Sequence, residues 1–307
     1  MVDLRLNVPS DFYEEETRCN YVVSKEIKQV WAVELDLLYE LDRVCKKHNL
    51  IYYADGGTLL GAIRHRGFIP WDDDVDIVMM RDQYDKLCTI AESEFKSPYF
   101  LQTGYSDPGS FRGHAQLRNG ETTAILINRK EKKINQGIFI DIFPLDNVID
   151  DKEALNDQIK NCQEALFCGR RAAVYSGYEY MPGFTPLRDF FKRRLIRLLS
   201  AMNYKKDFNH FYFEFEEECK KYNTQDTEMV AKFFMDPRKQ HQIWNKSDFN
   251  SYEYLPFEFI KIPVPVGYER ILNTFFGENW RTPIISDSLH GKVFFDTDKP
   301  YSYYVKD

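Results

Sequence analysis

The residues best suited to chemistry in this 307-residue chain lie between Tyr52 and Met80. A glycine pair, Gly56-Gly57-Thr58, is followed fourteen positions on by Asp72-Asp73-Asp74-Val75-Asp76. Four carboxylates in five positions repel one another. Two unit charges about 4 Å apart cost on the order of 4 kcal/mol at an effective dielectric near 20. Such a cluster is either splayed into water or held by a cation. Trp71, Val75 and Ile77 place it at the end of a core strand, which favours the cation. On a strand expected over 74–80, Asp74 and Asp76 share one face. With Asp72 just ahead, they are hard oxygen ligands suited to Mg²⁺ or Mn²⁺, with water and a substrate phosphate in the remaining positions. A calcium loop of the EF-hand type fails, because Ile77 stands at its glycine and Gln83 at its bidentate glutamate.

A second acidic position supports this. In Gly137-Ile138-Phe139-Ile140-Asp141-Ile142-Phe143-Pro144-Leu145-Asp146, one carboxylate interrupts a buried-strand run. A lone charge there is costly unless it is paired or metal-bound, so Asp141 joins Asp74 and Asp76 as the third metal ligand. Asp146, after the proline, reads as a turn or cap residue. Gly56, Gly57 and Thr58 open a helix whose backbone N–H groups can approach a donor phosphate with no Cβ in the way. Arg118, in Gln116-Leu117-Arg118-Asn119, stands where a phosphate-facing cation would be useful, with an ordinary surface arginine as the alternative. Arg64 and His65 read as the end of their helix. Glycine pair and helix, strand with alternating carboxylates, then a third carboxylate on a later strand: this is the order of a nucleotidyltransferase-type site.

The elements that must position these groups follow from hydrophobic period. Residues 24–48 carry Ile27, Val30, Trp31, Leu38, Leu41 and Cys45 at helical spacing with charge on the other face, which predicts a long amphipathic helix. A strand is expected at 50–54, helices at 58–66 and 82–94, and strands at 99–103, 115–118, 122–128 and 137–143, with a turn at 130–133. Beyond 150 the pattern becomes helical, at 152–175, 187–204, 207–221 and 269–276, with extended segments at 232–234 and 252–262. The fold class is α/β (α+β): a nucleotidyltransferase-like core over 1–150 with a mixed sheet flanked by helices. A helical, aromatic C-terminal portion over 151–307 completes the acceptor cleft.

A formal charge of -7 and a pI near 5.5 argue against nucleic-acid binding, which wants a basic surface. Residues 1–5 have no apolar signal region and no run approaches a membrane span, so a cytoplasmic protein is expected. Six scattered cysteines without a CxxC pair read as reduced thiols rather than metal ligands. The basic helix at 187–204 suits either peripheral contact with the inner membrane surface or, the favoured reading, packing on the core.

The stretch Gly56 to Ile77 resembles the signature of the LicD family of phosphocholine transferases, whose animal relatives are the fukutin-type ribitol-phosphate transferases. Gly137 to Asp146 resembles the second motif of that family. Ile262-Pro263-Val264-Pro265, Gly277-Glu278-Asn279-Trp280, Pro283 and His290 resemble its C-terminal signature. That third motif is looser, with Phe276-Gly277 where a tyrosine-glycine pair is usual and Ile284 where a second proline is common. The resemblance implies a CDP-activated alcohol as donor, CDP-choline foremost, with CMP leaving. The acceptor it implies is a hydroxyl on a cell-surface glycan, such as lipopolysaccharide or teichoic acid, or on a lipid-linked precursor. It makes Asp72, Asp74, Asp76 and Asp141 the metal and catalytic carboxylates, with Asp73 at a variable position. Two rival functions remain: a glycosyltransferase using Asp74-Val75-Asp76 on a nucleotide sugar, and a calcium-dependent glycan-binding protein.

Overall fold

The computed structural model describes residues 1–126, 134–175, 208–285 and 293–305. The basic segment 187–204, the turn at 130–133 and His290 lie outside the described residues. A short hairpin of β1 (Glu16–Arg18) and β2 (Tyr21–Val23) leads into α1 (Lys25–His48). Ser24 caps α1 by accepting the Ile27 N–H, and Lys46, Lys47 and His48 sit favourably at the negative end of its dipole. The expected charged face is only partly there. Glu34, Asp36 and Glu40 lie inside the protein with Trp31, Leu35 and Leu38, so α1 is buried on most of its circumference.

The strand β3 (Tyr53–Ala54) is shorter than expected, and α2 (Gly56–Arg64) begins at the glycine pair itself. Next come β4 (Asp76–Met80), α3 (Arg81–Glu94), β5 (Tyr99–Gln102), β6 (Ala115–Asn119), β7 (Thr123–Leu126) and β8 (Ile138–Val148). The strand β8 is the spine of the main sheet. On one edge it pairs in parallel with β4, which pairs with β3; on the other it pairs antiparallel with β6, which pairs with β5. This strand runs past the expected end at 143 and through Pro144. Asp141 N–H reaches the Val75 carbonyl on the β4 side, so the alternate position 144 would aim its N–H at the other edge. There β6 has ended at the partner of Ile142 and the next strand begins opposite Asp146, so proline forfeits no ladder bond.

The second half of the chain returns to this sheet. After α4 (Lys152–Tyr175) and α5 (Phe208–Lys220), β9 (Met229–Ala231) pairs with the end of β8, and β10 (Ile243–Asn245) pairs with β9. The boundary expected at 150 is therefore crossed by the sheet itself. A hairpin of β11 (Tyr252–Phe257) and β12 (Ile260–Pro265), then α6 (Tyr268–Phe276), complete the main core, and β13 (Val293–Asp296) pairs with β7. A second, smaller core gathers Phe111, Leu166, Tyr212 and Phe215 where α4 meets α5. Among the described residues no helix is long and apolar enough to cross a membrane.

Two clamps fix the loop between α2 and β4. Trp31 of α1 stacks on Phe68 at 4.5 Å with the rings 3° apart, and its Nε1–H donates to the Asp72 carbonyl at 3.0 Å. Glu258, at the tip of the β11–β12 hairpin, takes both Arg18 nitrogens at 2.6 and 2.8 Å and the Phe68 N–H at 3.0 Å. An aromatic stack of this kind adds about 0.5–1.5 kcal/mol beyond its buried area. The aspartate turn is held by tertiary contacts at both ends.

Candidate active site

Strand register assembles the centre of the site. Asp76 of β4 stands opposite Asp141 of β8, and Asp141 stands opposite Gln116 of β6. Register partners point to the same face, so the three side chains form one row across neighbouring strands. The expected strand over 74–80 starts only at Asp76, so Asp74 is placed by a turn rather than by strand alternation. That turn brings Asp72, Asp73 and Asp74 together, with one ligand oxygen from each within 4.8 Å of the others. Asp73, weighed low from sequence, belongs to this group. Among the described residues it is this triplet that closes so tightly, rather than the expected Asp74, Asp76 and Asp141.

The glycine pair lies against the carboxylates. Gly56 adopts φ +50°, a conformation open to glycine, and a Cβ there would come within 3.2 Å of Asp76 Oδ2. A Cβ on Gly57 would stand 2.5 Å from Asp72 Oδ2. The start of α2 and both acidic groups therefore share one small space. Thr58 does something other than face a phosphate: it is buried, and its hydroxyl oxygen accepts the Asp76 N–H at 2.9 Å, holding the start of β4.

Arg118 also departs from expectation. It is 1% exposed, donates from Nε to Gln102 at 2.5 Å and from Nη1 to the Gly137 carbonyl at 2.6 Å, and stacks over Phe139. From Nη2 it donates to the Gln116 Oε1. With that oxygen engaged, Gln116 presents its NH₂ to Asp141 Oδ1 at 2.6 Å. Arg118 thus orients the carboxylate through Gln116. The Arg112 charge also acts directly on Asp141, after that of His114.

The two facing aspartates are driven apart. Burial raises both; on Asp141, the His114 field and the hydrogen bonds from His114 (3.0 Å) and Gln116 outweigh it and lower its pKa. Asp76 is raised well above the ordinary carboxylate range by burial and then by the charges of Asp74 and Asp141, against the pull of Lys232. Burial keeps the pKa of His114 below the ordinary value despite Asp141.

Four participants were missed in the sequence. His114 and Gln116 precede or alternate with Arg118 on β6, a pattern that could have suggested them. The buried pair of Asp55, just ahead of Gly56, and Lys232, among Phe143, Phe234 and Trp244, joins groups 177 positions apart. No local signal reports that pairing. The site's donors are all hard carboxylate oxygens, half-buried at Asp72, Asp73, Asp74 and Asp76 and buried at Asp141, and a dication fits them. Arg64 ends its helix as expected, with Nη1 tied to the Trp280 carbonyl at 2.7 Å.

Comparison with known proteins bears on this arrangement. Residues 49–167 match the family described as LicD/FKTN/FKRP, nucleotidyltransferase domain. Over 123 residues the chain is 33% identical to the lipopolysaccharide cholinephosphotransferase LicD of Haemophilus influenzae, covering 40% of this chain and 45% of that protein. It is 40% identical over 70 residues to an uncharacterized protein of Rickettsia prowazekii, covering 23% of this chain and 24% of that one. The aligned part thus spans less than half the length of the curated relatives it matches.

Proposed function

We propose that this chain transfers a phospho-alcohol from a CDP-alcohol to a glycan hydroxyl, a reading supported by the match of residues 49–167 to the LicD/FKTN/FKRP nucleotidyltransferase domain. Phosphocholine from CDP-choline is the first choice, in line with the cholinephosphotransferase named above. The observation that carries the reading is the row of Asp76 beside Asp141, with Gly56 and Gly57 packed against Asp76 and Asp72. This gives a donor phosphate a helix start on one side and a bank of carboxylates on the other.

In the reaction the acceptor oxygen forms a bond to the phosphorus carrying the alcohol, and the bond from that phosphorus to CMP breaks. A carboxylate of the cluster takes the hydroxyl proton. Mg²⁺ or Mn²⁺, held by the Asp72, Asp73 and Asp74 group with Asp76 and Asp141 beside it, would supply charge neutralisation at the phosphate. His114 and Gln116 hold Asp141 by one oxygen, Oδ1, so that its orientation is set before substrate arrives. Arg118 and Thr58 keep Gln116 and the start of β4 in place. Lys232, buried and paired with Asp55, sets its positive charge against the repulsion that Asp76 feels from Asp74 and Asp141.

The test is CMP release from CDP-choline, CDP-ethanolamine, CDP-glycerol and CDP-ribitol, with a glycan acceptor, with and without Mg²⁺. Turnover of one donor that needs the cation and is lost in Asp76→Asn is the expected result. No release from any of the four would overturn the CDP-alcohol reading.

A further inference from the structure

Three carboxylates are buried along α1, and two of them are satisfied. Asp36 takes the Tyr99 hydroxyl at 2.7 Å and the Leu6 N–H at 2.8 Å. Glu40 takes Arg5 at 2.9 Å and Arg43 at 2.8 and 3.0 Å. Glu34 is different. It is 1% exposed, and its Oε2 makes no hydrogen bond. A buried carboxylate oxygen without a partner is costly, and cores rarely keep one without a use.

The surroundings indicate the use. Trp31 lies one turn before Glu34 on the same face of α1, and its indole is bonded to the Asp72 carbonyl at 3.0 Å. The face of α1 that carries Glu34 is thereby tied to the aspartate turn. The charges acting on Glu34 are those of Asp74, Asp73, Asp72 and Asp141, in that order after burial itself, and together they push its carboxyl well above the ordinary range.

We propose that Glu34 is a further carboxylate of the divalent-cation site, supporting from α1 the cation held by the Asp72–Asp74 turn. Glu34 stands outside the tight triplet of Asp72, Asp73 and Asp74, so it acts from behind those ligands. Its charge adds to theirs on the dication, and the dication relieves the burial of an otherwise uncompensated group. The inference rests on the cation-dependent reading above and assigns a residue that lies outside the matched domain at 49–167.

The experiment is Mn²⁺ binding to the full chain, followed by electron paramagnetic resonance or calorimetry, for wild type, Glu34→Gln, Glu34→Asp and Asp76→Asn. Glu34→Gln keeps the shape and removes the charge. It should weaken Mn²⁺ binding about 10- to 100-fold, the size of effect seen when supporting groups behind metal ligands are removed. Its melting temperature in EDTA should equal or exceed that of wild type. Glu34→Asp keeps the charge on a shorter stem and should fall between the two, and it carries the test if the glutamine variant does not fold. Mn²⁺ binding by Glu34→Gln equal to wild type would overturn the inference and leave the proposed transfer standing. A wild-type protein that takes up no Mn²⁺ would overturn both.

Discussion

Individual residues in this site are set by close approach as much as by charge. Gly57 is the clearest case. Its backbone lies in ordinary helical territory, so alanine there strains nothing in the chain; the added Cβ instead meets Asp72 Oδ2 at 2.5 Å. That oxygen ends a rotatable side chain, which can swing aside at small cost to stability. We expect Gly57→Ala to fold with an unchanged circular dichroism spectrum and to lose about 10²-fold in CMP-release kcat/KM, the usual consequence of a misplacement near 1 Å. Full activity would mean that the position of Asp72 is not critical. The aspartates, the glycine pair and Asp141 were legible from residue type and spacing. The role of Arg118 was not, because the same sequence serves a surface cation or a buried orienting group, and only the neighbours Gln102, Gly137 and Gln116 distinguish the two.

At the scale of elements, the site depends on how helices are tied to β8. The strongest tie is Arg81 at the start of α3, which donates to both oxygens of Asp146 at 2.7 and 2.6 Å and to Glu216 of α5 at 3.2 Å. Asp146, expected in a turn, lies inside β8 and is 1% exposed. Removing one partner of a buried pair leaves the other charge uncompensated, which costs about 3–5 kcal/mol. Arg81→Met should therefore lower stability by roughly that amount, measured by urea unfolding, and a loss under 1 kcal/mol would show that the pair contributes little. Most helices were legible because 3.6-residue periodicity is local. Strand ends were less so: β8 outran its expected end because Pro144 sits between two partner strands, a fact of pairing rather than of local sequence.

For the whole molecule, the decisive feature is that the two halves interleave. The strands β9 and β10 complete the edge of β8, and Val230, Trp244, Phe257, Ile262, Leu272 and Trp280 join the same core as Trp31 and Ile142. A chain ending at residue 150 would expose the far end of β8 and remove part of that core. We expect this fragment to be insoluble or to lack a cooperative melt, whereas a soluble, cooperatively melting fragment would establish an independent domain. The overall charge of -7 has a matching consequence. A site built from carboxylates repels a phosphate donor unless a cation intervenes, which is why the transfer assay includes Mg²⁺ removal.

The sequence by itself determined the mixed α/β class, the acidic cluster, the glycine-led helix and the lone carboxylate of a buried strand. Each of these is a pattern of period, residue type or short spacing, and such patterns survive without knowledge of the fold. Tertiary structure alone decided which carboxylates meet. Asp76 faces Asp141 because β4 and β8 pair in one register, the face of α1 that carries Glu34 is tied to Asp72 through the Trp31 indole, and Lys232 returns from the second half to Asp55. Those encounters join residues far apart in the chain, and long-range pairing is set by the packing of the whole core rather than by any local preference.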